Sequence, residues 1–106
     1  QYKESIDQYH IVLEKDPNNV AASNKIAMIF RETGRLDEAI NHSLRVIELD
    51  PNDVVARLNL AMIYRNMGEP EKALVHVDAI LELVPENNRL LKLKEKLLKE
   101  TRSGQQ

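Results

Sequence analysis

An all-α solenoid of stacked antiparallel helix pairs is the fold this sequence predicts, and three observations predict it. Pro17, Pro51 and Pro85 stand 34 residues apart. Gly34 and Gly68 keep the same interval, as do Ala27 and Ala61, Met28 and Met62, Arg31 and Arg65, Ala39 and Ala73, His42 and His76. Between these markers the apolar residues recur at helical spacing. A fixed period of this length marks units that bury their apolar faces only against their neighbours, so the expected shape is an elongated array of six helices.

The first element, 1–16, reads as the second helix of a truncated repeat. Ser5 falls at the place of Ala39, Tyr9 at that of Ser43 and Val12 at that of Val46. A missing partner helix leads us to expect a piece of a longer array. In the repeat 17–50, Ile26, Ala27, Ile29 and Phe30 follow helical spacing, and Gly34 stands where a left-handed residue closes the helix. A second helix restarts at Leu36, with Asp37 and Glu38 in its first turn, where the helix dipole favours negative charge. Asp50-Pro51-Asn52 breaks it. The repeat 51–84 copies the pair, with Pro70 at a helix start, where its missing N–H costs nothing.

After Pro85 the pattern changes. Leu90, Leu91, Leu93, Leu97 and Leu98 give one amphipathic helix within 85–102, while Lys94 and Glu95 occupy the places of Leu60 and Ala61. A charged pair cannot pack as that apolar pair does. The segment therefore reads as a C-terminal capping helix that turns a charged face to water, followed by a frayed tail, 103–106.

Composition narrows the chemistry. Fifteen Lys and Arg against 17 Asp and Glu give no bulk charge that would call for nucleic acid or an anionic membrane. Residues 88–102 carry a net +4, which leaves −6 on the rest, an acidic array with a basic end. The chain has no cysteine, which removes disulfides and thiolate catalysis together and leaves the redox compartment undecided. No apolar stretch approaches the roughly 20 residues of a membrane span. No phosphate loop, zinc-protease or nucleophile-elbow motif is present. Equivalent residues of adjacent repeats lie about 10 Å apart, too far for His42 and His76 to share a metal. The helical wheel puts both beside the polar face, where solvent exposure is expected, and His10 has no partner that spacing enforces. No catalytic, cofactor or metal residues are assigned.

At these residues the chain resembles the tetratricopeptide-repeat family, whose 34-residue unit is a helix–turn–helix. Ile26-Ala27 and Leu60-Ala61 match its Leu-Gly pair, Phe30 and Tyr64 its aromatic, Ala39 and Ala73 its small residue, and Asp16-Pro17-Asn18 and Asp50-Pro51-Asn52 its turn. Ser23 and Arg57 depart from its early large residue, Ser43 and Val77 from its second-helix Phe, and Val12, Val46 and Ile80 from its second Ala. Larger aliphatics beside smaller aromatic replacements conserve volume. Pentatricopeptide repeats, which read RNA, have a 35-residue period, and the interval of 34 and the Asp-Pro turn disfavour them.

The resemblance implies a right-handed superhelix whose first helices line a concave groove. With Ala27 and Phe30 inward, the wheel places Asn24, Lys25, Met28 and Arg31 on that surface, then Asn59, Met62, Arg65 and Asn66 beside Val55 and Leu58, then Arg89, Lys92, Lys96 and Lys99. Seven cations face Glu32 alone. Such a lining suits a protein or peptide partner with acidic residues: amides pair with backbone, methionines accept varied side chains, and cations orient the ligand. The carboxylate clamp of chaperone-binding relatives is not reproduced. Asn59 fits its middle element and Arg89 could supply a cation, but Asn24, Met28 and Leu93 stand where the clamp has Lys, Asn and Arg. The expected function is a non-enzymatic scaffold or adaptor. Two alternatives stand beside it: self-assembly into a homo-oligomer through an exposed Tyr9 and Val12, and service as a regulatory or targeting appendage of an enzyme.

Overall fold

The structure, a computed structural model, describes residues 1–104. Those residues form six α-helices: α1 (Tyr2–Lys15), α2 (Val20–Glu32), α3 (Leu36–Leu49), α4 (Val54–Asn66), α5 (Pro70–Leu83) and α6 (Asn88–Gly104). The last helix runs to Gly104, past the expected end at 102, so Ser103 and Gly104 of the expected frayed tail are helical. Residues 105 and 106 of the expected frayed tail lie outside the described residues.

The repeat's punctuation is made of backbone hydrogen bonds. At the end of α2 the Arg35 N–H donates to the Phe30 carbonyl (2.8 Å) and the Gly34 N–H to that of Arg31 (3.2 Å), with Gly34 at φ 81°. One repeat later Glu69 donates to Tyr64 (2.8 Å) and Gly68 to Arg65 (3.0 Å), with Gly68 at φ 78°. Both ends are Schellman motifs, in which the glycine takes the left-handed conformation that satisfies two orphan carbonyls. The opposite turns carry a second device. Asn19, Asp53 and Asn87 stand 34 residues apart, and their side chains accept from the N–H groups of Ala22, Ala56 and Leu90 at 2.9, 2.9 and 3.0 Å.

Each helix packs on its sequence neighbour, and α2 also touches α4. The core is split accordingly. Ile26, Phe30, Ala39 and Ile63 form one buried cluster, flanked by Ile6, Tyr9 and Leu13 of α1. Ala61, Ala73, Val77, Leu81 and Leu97 form the other. Ala27, Ala39 and Ala73 have no exposed surface, as close approach of paired helices requires. Val46 and Ile80 are equally enclosed beside Ser43 and Val77, so the exchanged volumes are accommodated. Tyr9, expected to be exposed with Val12, instead packs against the Phe30 cluster, because α2 covers that side of α1. Val12 and Ile11 do face solvent.

The capping helix is anchored by apolar and ionic contacts together. Leu97 is fully buried, and Lys94, in the place of an apolar residue, reaches Asp78 of α5 at 2.9 Å.

Candidate functional site

The residues assigned to the groove fall on α2, α4 and α6, and the structure gives them unequal standing. Lys25, Asn66, Arg89, Lys92, Lys96 and Lys99 are exposed, and Met28, Arg31, Met62 and Arg65 are half-buried. Val55 and Leu58 are exposed on α4. An apolar row on the middle helix therefore stands in the same set as a cationic row on α6. Arg89, Lys92, Lys96 and Lys99 make no ion pair among the described residues, nor do Lys25 and Arg31.

Two members of the set are engaged within the protein and a third is buried in it. Asn24 donates from Nδ2 to the Asp53 carboxylate (3.2 Å), the same oxygen that caps α4, and so ties the two repeats together. Asn59 is only 4% exposed, and its Nδ2 has no partner among the described residues. Arg65 is held by Glu100 of α6, with Nη2–Oε1 at 2.8 Å and Nε–Oε1 at 2.9 Å. Glu100 and Asp53 are the residues that the wheel of a single helix did not bring out. Asp53 stands directly before the apolar run of α4, the N-cap signal that could have marked it, whereas the Glu100 contact spans 35 residues and depends on how α4 and α6 are staggered.

The histidines correct an expectation. His76 is 8% exposed, not solvated, because Tyr64 stacks on its ring (5.9 Å between centroids, 10° between planes) and Arg57 approaches its Nδ1 at 3.2 Å. His42 is half-buried between Phe30 (5.7 Å) and His10 (6.1 Å). A guanidinium only donates, so Nδ1 of His76 accepts and the ring is neutral there, with its proton on Nε2. Desolvation and then the Arg57 charge push His76 below the usual imidazole range. Desolvation, then His10 and Arg45, do the same to His42, against a smaller opposing effect of Glu38.

Around the aromatics of α2 and α4 the two repeats use opposite charge order. Arg35 lies 4.6 Å over the Phe30 ring and pairs with Glu38 at 2.7 Å, whereas Lys72 lies 5.6 Å over Tyr64 and pairs with Glu69 at 3.3 Å. The cation covers the ring in both, which is the part of the contact that matters. Among the described residues no three His, Asp or Glu side chains gather as a metal site would need, and no helix is long and apolar enough to cross a membrane.

A stack of antiparallel helix pairs, each packed on its sequence neighbours, belongs to the class of helical-repeat proteins. The tetratricopeptide-repeat profile matches residues 30–97, and the chain belongs to the tetratricopeptide-repeat family, whose fold is a protein-interaction scaffold. Among solved structures, the first TPR of Spaghetti (RPAP3) bound to HSP90 peptide SRMEEVD is similar at TM-score 0.88 and 20% identity, covering 95% of this chain and 80% of that one. The Arabidopsis OM64 TPR domain is similar at TM-score 0.84 and 18% identity, with 93% and 82% covered. The TPR2B domain of yeast Sti1 in complex with pHsp70 gives TM-score 0.81 and 21% identity, with 93% and 84% covered. No curated protein sequence matches the chain.

Proposed function

We propose that the chain is a non-enzymatic interaction module that binds a peptide segment carrying acidic and apolar residues in the groove of α2, α4 and α6. The observation that carries this reading is the row Arg89, Lys92, Lys96 and Lys99, exposed and in no ion pair among the described residues, on a chain whose net charge is −2. An acidic protein that gathers unpaired cations on one helix creates a local field opposite to its overall charge, which orients an anionic segment and speeds its encounter. Val55, Leu58 and Met62 offer that segment an apolar seat at spacings of three and four residues along α4. The SRMEEVD peptide on the similar RPAP3 domain combines acids with Met and Val, the same mixture of chemistries.

The test uses a fluorescein-labelled peptide of Glu, Leu and Ser, and its counterpart with Gln for Glu, in fluorescence anisotropy. The Glu peptide binds more tightly, and its affinity falls with salt. The double variant K92E/K96E lowers it about tenfold, since two partly solvated charge contacts become repulsions of about 0.5–1 kcal/mol each. Equal affinity of the variant and the parent would remove the basic groove as the site.

A further inference from the structure

Two of the three groove arginines, Arg31 and Arg65, hold the same place in successive repeats and are treated differently. Arg31 and Arg65 stand 34 residues apart on the same face of α2 and α4. The residue one repeat on that meets Arg65 is Glu100, and its equivalent for Arg31 is Asn66. Arg65 is therefore satisfied by a carboxylate of its own chain, whereas the position equivalent to Glu100 one repeat earlier holds a neutral amide and Arg31 makes no ion pair among the described residues. Glu32, next to Arg31 in sequence, does not replace the missing acid, because its carboxylate accepts from the Tyr2 hydroxyl at 3.0 Å and makes no ion pair with Arg31.

The geometry of the satisfied pair is that of a ligand contact. Two nitrogens of the Arg65 guanidinium converge on Glu100 Oε1 (2.8 and 2.9 Å), and Nε also reaches Oε2 at 3.3 Å. This forked arrangement is how arginine grips a free carboxylate. Both side chains keep about a third of their surface in water, at 31% and 39%. An exposed pair of this kind is weak enough for a second carboxylate to compete with it.

We infer that Glu100 is a tethered stand-in for a ligand carboxylate: it occupies Arg65, leaves Arg31 as the open member of this repeated pair, and so determines where along the groove an acidic residue is read. The inference rests on the groove reading above. Glu100 acts as a positioning and selectivity residue, and removal of its charge opens Arg65 to the ligand as well.

The same labelled peptides test it. E100Q binds the Glu peptide about three- to fivefold more tightly at low salt, the size expected when one partly exposed charge contact is gained. The Gln peptide shows no gain. E100Q/R65Q loses the improvement, which ties it to Arg65. E95Q, which removes an acid from the exposed side of the same helix, reports the effect of net charge alone and gives a smaller change. Circular dichroism confirms that each variant keeps its helices. Equal affinities of E100Q and E95Q, or a gain that survives R65Q, would overturn the inference. These results are separable from failure of the groove reading: if K92E/K96E weakens binding and E100Q does not strengthen it, the groove stands and the role of Glu100 falls. If neither E100Q nor the parent binds the Glu peptide, both fall.

Discussion

At the scale of single residues, the sequence spends its special conformations where the backbone demands them. Gly68 adopts φ 78°, and a Cβ built on it would meet nothing within 4 Å, so the position is restricted by local backbone sterics and not by packing. Gly68→Ala accordingly lowers stability by about 1–2 kcal/mol, the cost of holding an L-residue in the left-handed region. Urea denaturation followed by circular dichroism measures it, and an unchanged midpoint would mean that the turn relaxes to another form. Ser23 and Ser43 show the opposite economy. Both are essentially enclosed, at 1% and 0% exposure, and neither hydroxyl has a hydrogen-bond partner among the described residues. They fill space in the helix-pair interface at the expense of unmade hydrogen bonds.

At the scale of elements, the turns between repeats are cooperative devices more than breaks. Asp53 caps α4 through Ala56 N–H and with the same oxygen accepts from Asn24 of α2. Asp53→Ala removes the cap and leaves an amide without its acceptor, and costs about 1–2 kcal/mol. Asp53→Asn retains an accepting oxygen and recovers most of that loss in the same urea titration. A recovery no better than Ala would assign the effect to charge instead of hydrogen bonding. Helix number, order and starts were legible because Gly34, Gly68, Pro51 and Pro70 act within a few residues of where they stand. The groove set was legible only as the faces of separate helices. Whether Arg65 is open depends on Glu100, and whether His76 is wet depends on Arg57 and Tyr64. Both questions turn on the stagger of helices that no single wheel contains. Asn59 illustrates the same limit. It lies near the edge between the groove and the core, and packing draws it to 4% exposure.

At the scale of the whole molecule, the chain is a rod. It measures 46 × 27 × 20 Å with a radius of gyration of 14.6 Å, against about 13 Å for a compact domain of this length. Stability in such a stack is a sum over neighbouring interfaces, so a residue repeated in each unit acts once per unit. His42 and His76 are repeated in this way, each packed on the aromatic of its own pair's first helix, and burial lowers the proton affinity of both. The groups facing His76 are Tyr64 and the permanently charged Arg57. Those facing His42 are Phe30, His10, Arg45 and Glu38. Since the folded rings hold protons less well than unfolded ones, whose pKa is about 6.5, the unfolded chain binds more protons and stability rises with pH through this range. The contribution is complete above the unfolded value and is lost progressively as the pH falls from there through the lowered folded values, with a limit of about 1.4 kcal/mol per pH unit for each proton taken up. The urea midpoint is thus level from about pH 7.5 upward and declines toward pH 5.5, before most carboxylates titrate. His76→Gln, which keeps an acceptor for Arg57, reduces that decline, and a second replacement at His42 reduces it further. A slope that persists unchanged in the double variant would place the acid sensitivity outside these two joints.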